Sequence, residues 1–294
     1  MMNSIFVSTN AFGTKKLNEI LEECRDHSIL NIELSSINGN RRDIEYSLSK
    51  SSEYGMFHFL VHNYSPPPEV PFVLNLASKN TNVLERSLNH CRRAIDLNYK
   101  FQASFYGVHC GFCFDAEPND LGNNLTHLFR YSLEEAEDIF IESLKILSDY
   151  AREKGIKLAI ENNVLSDVNL IDGQNKLLLG VRAEEIIRYI TKTGRDNIGV
   201  LLDVGHLKVS AESLGFDSHE FIHSIASLII GVHLSDNDGR TDTNSPINRE
   251  SWFWSPLKSI LNEKMCLVLE VRELTPGSIK DQVSIIESSL FDGK

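Results

Sequence analysis

No stretch of this 294-residue chain approaches the roughly 18 uninterrupted apolar residues that a membrane-spanning helix needs. Residues Met1 to Asn10 carry no basic flank ahead of their short apolar run, so they do not read as a signal peptide. Cysteine is sparse: Cys24, Cys91, Cys110, Cys113 and Cys266 are odd in number and mostly scattered. That spacing excludes a disulfide framework and leads to the expectation of a cytoplasmic protein. Basic charge is in the minority, since 29 Lys and Arg stand against 41 Asp and Glu, for a net charge of −12. A nucleic-acid-binding module usually has the opposite balance, although a nuclease that grips its substrate through metal ions escapes this argument. Missing too is a G-x-G-x-x-G turn after the first apolar run, where STNAFGTKK stands instead. A doubly wound dinucleotide-binding sheet, and with it an organic cofactor, is therefore not expected.

What remains is an ordinary globular composition, 41% hydrophobic and 24% charged. The length permits two domains of about 150 residues, or one barrel of about 250. Short apolar runs decide between them: IFVS (5–8), ILNIEL (29–34), MFHFLVH (56–62), FYGVH (105–109), KLAIE (157–161), IGVLLD (198–203), LIIGVHL (228–234) and CLVLE (266–270). Each is short, rich in β-branched or aromatic residues, and bounded by polar sequence, as a buried strand is. Between most of them lie segments with helical spacing: 17–24, 79–98, 132–154, 183–193, 218–227, 252–262 and 277–290, with 43–50 short and weakly periodic. Ser132 and Glu135 form a capping-box pattern, and Gly155 suits a left-handed helix end. Eight strands alternating with helices predict a single (β/α)8 barrel with 1–294 as one domain, the Pro-rich YSPPPEVP (64–71) being a stiff loop at its mouth.

In a parallel barrel all strand C-termini meet at one face. His62, His109, Glu161, Asp203 and Glu270 end their runs and His233 lies near the end of its own, so six residues spread over more than 200 positions converge. Taken singly, a histidine at a strand end is an ordinary hydrogen-bonded residue. A carboxylate inside KLAIE or CLVLE is harder to dismiss, because burying an unpaired charge is costly. Three carboxylates and three imidazoles suit a borderline divalent cation such as Zn, Mn or Co. His206 in LLDVGH and Asp242 in HLSDNDGRTDTN can reach the same mouth, whereas Asp236 and Asp238 in that loop also read as solvated acids. One C-x-x-C, CGFC (110–113), has no second pair to close a zinc site and no histidine after it to mark a haem.

At VHNY…NLAS (61–78), VHCG (108–111), IENN (160–163), LLDVGH (201–206), GVHLSDNDG (231–239) and VLEV (268–271) the chain resembles the xylose isomerase-like TIM barrels. That superfamily includes sugar and sugar-phosphate isomerases and epimerases, inosose dehydratase-like enzymes and the endonuclease IV branch of apurinic-site nucleases. The VHNY…NLAS stretch resembles the nuclease branch, whose three-metal pattern would put His62, His109 and Glu161 on one metal. It would put Glu161, Asp203, His233 and Glu270 on a second, and His206 with Asp242 on a third. The last ligand of that third site is a histidine in the nuclease pattern but Asn244 here, and a neutral amide is a weak zinc donor. The isomerase branch implies one metal on Glu161, Asp203, His233 and Glu270, with Glu161 and Glu270 as the acid/base pair and His206 contacting substrate. Arg240 and Trp252 are expected at the substrate, with Trp254 closing over it or packing a helix. The resemblance thus implies a divalent-metal-dependent sugar or sugar-phosphate isomerase/epimerase working through an enediolate. Alternatives are an apurinic-site nuclease and a barrel that binds ligand without turnover. The expected partner is a small sugar, sugar phosphate or cyclitol, with neither membrane nor, on balance, nucleic acid; barrels of this type often form homodimers.

Overall fold

A computed structural model describes residues 5–35, 37–39, 41–54, 57–262 and 264–291. The strands are β1 (Ile5–Ser8), β2 (Asn31–Leu34), β3 (His58–Val61), β4 (Phe105–His109), β5 (Lys157–Glu161), β6 (Ile198–Asp203), β7 (Ile229–Leu234) and β8 (Cys266–Leu269). The α-helices among the described residues are α1 (Leu17–Asp26), α2 (Arg41–Tyr54), α3 (Thr81–Lys100), α4 (Leu133–Arg152), α5 (Ala183–Thr193), α6 (Val204–Leu214), α7 (Ser218–Ile225), α8 (Trp254–Ile260) and α9 (Pro276–Leu290). The sheet runs in the order β3-β2-β1-β8-β7-β6-β5-β4, with every pairing parallel.

Closure occurs at β3 and β4 through a parallel bridge between His62 and Gly107, with the Asn63 N–H donating to the Gly107 carbonyl at 2.8 Å. Glycine is required there. A Cβ on residue 107 would lie 2.7 Å from a Leu201 methyl and 3.0 Å from the His62 ring. The fold is thus the expected (β/α)8 barrel.

Strand parity places the chemistry. Side chains alternate across a strand, so every second residue faces the barrel interior. Phe6, Leu60, Phe105, Ala159, Leu201 and Val268 face inward and form a compact inner plug. Two residues further on, on the same face, stand Ser8, His62, Gly107, Glu161, Asp203 and Glu270. The outward residues, such as Val61, Val108, Ile160, Leu202 and Leu269, join the large apolar layer beneath the helices. An apolar floor therefore lies under a polar mouth, and register sets its neighbours: His109 pairs with Glu161, and Asp203 with His233.

Most expected segments appear with ends shifted by a residue or two; position 56, which opens the third apolar run, lies outside the described residues. The Ser132–Glu135 capping box forms with both bonds at 3.1 Å, and Gly155 is left-handed at φ 69°. Two differences matter. The weak segment 43–50 is the 14-residue α2. The stretch after β6, which carries no helical spacing in the sequence, is the helix α6, whose N-terminus Asp203 caps by accepting from the His206 N–H at 2.7 Å.

Candidate metal centre at the barrel mouth

Four side chains present a donor atom to one point while using their other polar atom for the scaffold. Glu161 Oε2 bonds His62 Nε2 at 2.6 Å, and its Oε1 has no hydrogen-bond partner. Asp203 Oδ1 caps α6, and its Oδ2 has none. Glu270 Oε1 accepts from the Asn10 amide at 3.0 Å, which leaves Oε2 facing His233. His233 Nε2 lies 2.9 Å from Glu33 Oε2, and a carboxylate can only accept, so Nε2 carries the hydrogen and Nδ1 the lone pair.

His233 Nδ1 then sits 2.7 Å from Glu270 Oε2, 3.2 Å from Glu161 Oε1 and 3.7 Å from Asp203 Oδ2. It makes a hydrogen bond with none of them. With Nδ1 unprotonated, four lone pairs would face one another at such distances and repel; a proton on Nδ1 or a divalent cation in its place relieves the conflict. Donors about 2.1 Å from a tetrahedrally bound metal lie roughly 3.4 Å apart, near the spacing found. The donor set, one imidazole and three carboxylates, fits a hard or borderline divalent ion, and all four residues are buried.

The electrostatics agree with that fit. Burial works against a charged His233, yet Glu270, Glu33 and Glu161 hold its proton affinity well above the ordinary imidazole range. A field that attracts a proton so strongly also attracts a metal ion. Burial likewise disfavours an ionised Glu161, but His109, His62 and His233 outweigh it and keep that carboxyl well below the usual range. At Glu270 burial prevails and raises the carboxyl.

A second cluster shares Glu161: His62, His109 and Glu161 offer donors within 4.8 Å of one another, with His109 Nε2 3.5 Å from Glu161 Oε2. The third expected set is thinner. His206 Nδ1 donates to the Asn162 carbonyl at 2.9 Å, so Nε2 faces Asp242 Oδ2 at 3.4 Å. Asn244 lines the same cavity but adds only an amide. That loop is held by Asp236, which accepts from Lys208 at 2.7 Å and from Ser251 at 2.8 Å, while Asp238 is exposed and caps a turn.

Above these groups opens a cavity of about 360 Å³, lined also by Asn10, Tyr64, Pro67 and Arg272. The family model of the xylose isomerase-like TIM barrel matches residues 10–287 of the chain. The chain belongs to that family. A probable endonuclease 4 of Carboxydothermus hydrogenoformans is 25% identical over 263 residues, covering 84% of this chain and 80% of its own length. A D-tagatose 3-epimerase-like protein superimposes with a TM-score of 0.69 at 20% identity, covering 97% of this chain and 98% of that one. The IolI protein with a bound zinc atom gives 0.65 at 16%, covering 98% and 99%.

Within this xylose isomerase-like barrel two expected substrate contacts lie elsewhere. Arg240 is exposed beside Asp238 and does not line the cavity. Trp252, half-buried, stacks on the His219 ring at 6.0 Å, and Trp254 is buried with its indole N–H on the Asn248 carbonyl at 2.7 Å. Cys110 and Cys113 are buried thiols, and burial pushes Cys113 up to about 11. Asn75 of NLAS is a loop staple: its amide donates to the Phe112 and Phe114 carbonyls and accepts from the Ala77 and Phe112 N–H groups. Glu33 and Asn10 have no part in the expected set. Glu33 carries a legible signal, an acid between apolar neighbours in ILNIEL, the same pattern as in KLAIE.

Proposed function

We propose that this barrel is a divalent-metal-dependent isomerase or epimerase of sugars or sugar phosphates, acting in the cytoplasm. The observation that carries the reading is the convergence of Glu161 Oε1, Asp203 Oδ2, His233 Nδ1 and Glu270 Oε2 at the floor of a small-molecule-sized cavity. A divalent cation bound there would polarise a ketose carbonyl and the hydroxyl beside it, lowering the cost of an enediolate.

The protein's own residues supply the proton chemistry. Glu161 on β5 and Glu270 after β8 reach the cavity from either side of β6 and β7. Both carboxylates border the reacting face; burial works against an ionised Glu161, but the surrounding imidazoles outweigh it and suit that residue to the base. Glu161 removes the proton from the carbon next to the carbonyl, and Glu270 delivers one. Asn10 fixes Glu270 and His62 fixes Glu161, so neither carboxylate swings between steps. His206 at the cavity wall receives a substrate hydroxyl. The epimerase-like and zinc-containing neighbours support this reading through the shared fold.

One observation favours a second reading. The His62, His109 and Glu161 cluster beside the first site matches a multinuclear centre, and an endonuclease 4 is among the relatives. Metal analysis of protein purified without chelator separates the two. The isomerase reading expects one or two equivalents of divalent metal and turnover within a ketose panel. Three tightly held zinc ions with nicking of abasic duplex DNA would reverse it.

A further inference from the structure

Among the described residues that line the mouth cavity, Arg272 is the only lysine or arginine. Its surroundings are acidic, with Glu161, Asp242 and Glu270 in the same wall. Yet among the described residues its guanidinium forms no ion pair and donates to no acceptor. The charge of Arg272 reaches Asp242, where it adds to His206 in opposing the effect of burial on that carboxyl, but no contact forms.

The backbone that presents Arg272 is fixed. The Arg272 N–H donates to the Asn244 carbonyl at 3.0 Å, that of Glu273 to the Asn10 carbonyl at 3.4 Å, and that of Leu274 to the Ala11 carbonyl at 2.7 Å. Asn244 and Glu273 both hold left-handed backbone, φ 45° and 53°, a conformation that costs a non-glycine residue on the order of 1 kcal/mol or more. Such strain persists where the surrounding structure demands one particular presentation. An exposed guanidinium two residues beyond Glu270, with no ion pair among the described residues, is open to a ligand in the cavity. Its planar fork of donors matches the paired oxygens of a phosphate or carboxylate.

We infer that Arg272 receives a terminal oxyanion of the substrate, so the sugars this barrel turns over are anionic ones, phosphosugars or sugar acids, rather than neutral ketoses. This rests on the isomerase/epimerase reading and narrows its substrate class. The reacting carbon lies over Glu161 and Glu270, and the oxyanion lies at the rim.

The test uses the metal-loaded protein and paired probes: D-ribulose against D-ribulose 5-phosphate, and D-fructose against D-fructuronate, in wild type, Arg272→Met and Arg272→Lys. The wild type should prefer one anionic partner in kcat/KM. Arg272→Met should cut that anionic-over-neutral preference about 10- to 100-fold, chiefly through KM, and Arg272→Lys should recover part of it. The two pairs tell phosphate from carboxylate. Equal preference in wild type and Arg272→Met overturns the inference and leaves the isomerase reading standing. If no ketose reacts, calorimetric titration of the same proteins with inorganic phosphate decides. Binding weakened in Arg272→Met keeps the oxyanion site without the isomerase; phosphate bound equally by both, or by neither, removes it.

Discussion

Replacing Glu33 with glutamine should weaken metal binding without touching a predicted ligand. Glu33 is 1% exposed, and its Oε2 lies 2.9 Å from His233 Nε2. The bond does two things: it fixes the tautomer that turns the Nδ1 lone pair towards Glu161, Asp203 and Glu270, and it makes the imidazole a stronger donor. Glutamine preserves the shape and can still accept from Nε2, but it removes the charge. Partners of this kind are worth about 10- to 100-fold in metal affinity, or roughly 1.4 to 2.7 kcal/mol. Glu33→Ala should lie at the upper end, because it also strands a buried N–H. The assay is competition for zinc against a chromophoric chelator, with circular dichroism confirming that each variant is folded. Loss of one whole equivalent, with the remainder binding unchanged, would mean that Glu33 is itself a ligand, with His62. Affinity equal to wild type in both folded variants would refute the orienting role altogether.

Three further outcomes follow from the scaffold. Glu137 on α4 accepts from Arg188 at 2.6 Å and from Lys192 at 2.7 Å on α5, and the hydrogen bond from Arg188 above all holds its carboxyl below the usual range. A depressed folded value means that the stabilisation is full above the unfolded carboxyl value near 4.3 and fades as pH falls through the folded one. Glu137→Gln should therefore cost about 1 kcal/mol at pH 7, with both cations half-exposed, and the gap in urea unfolding should close in the acid limb below about pH 4. Asn75→Ala strips four backbone groups of a buried partner and should lower stability by about 3 to 5 kcal/mol, read as a thermal shift with the metal cluster unaltered in composition. Gly107→Ala presses a methyl against Leu201 and His62, so it should cost about 1 to 3 kcal/mol in urea unfolding and weaken the His62–Glu161 side of the centre most.

Strand parity explains how much the sequence discloses. A strand-end polar residue two positions after an inward apolar one is a strong signal, and Ala159–Glu161, Leu201–Asp203 and Val268–Glu270 all obey it. Glu33 stands one residue before the end of ILNIEL, as His233 does in LIIGVHL, and β2 turns it inward between the outward Ile32 and Leu34, so strand parity discloses it where the run end alone does not. Helix α6 is illegible for another reason. Residues 204–207 and 209–211 are all buried, so only Lys208, Glu212 and Ser213 break the run and the polar strip is too thin to mark a helical period. Arg240 and Trp252 show the limit of proximity along the chain. Both flank the loop that delivers Asp242, but loop direction, set by the Asp236–Ser245 pairing and by Lys208, carries them away from the mouth, and Arg272 from the next loop reaches it.

The decisive measurement is solvent deuterium exchange into a ketose, followed by NMR on metal-loaded protein. Exchange is expected at the carbon beside the carbonyl in wild type, and its loss in both Glu161→Gln and Glu270→Gln while each variant stays folded. Exchange undiminished in the two variants, or none in wild type across neutral and anionic ketoses alike, would contradict the proposed function.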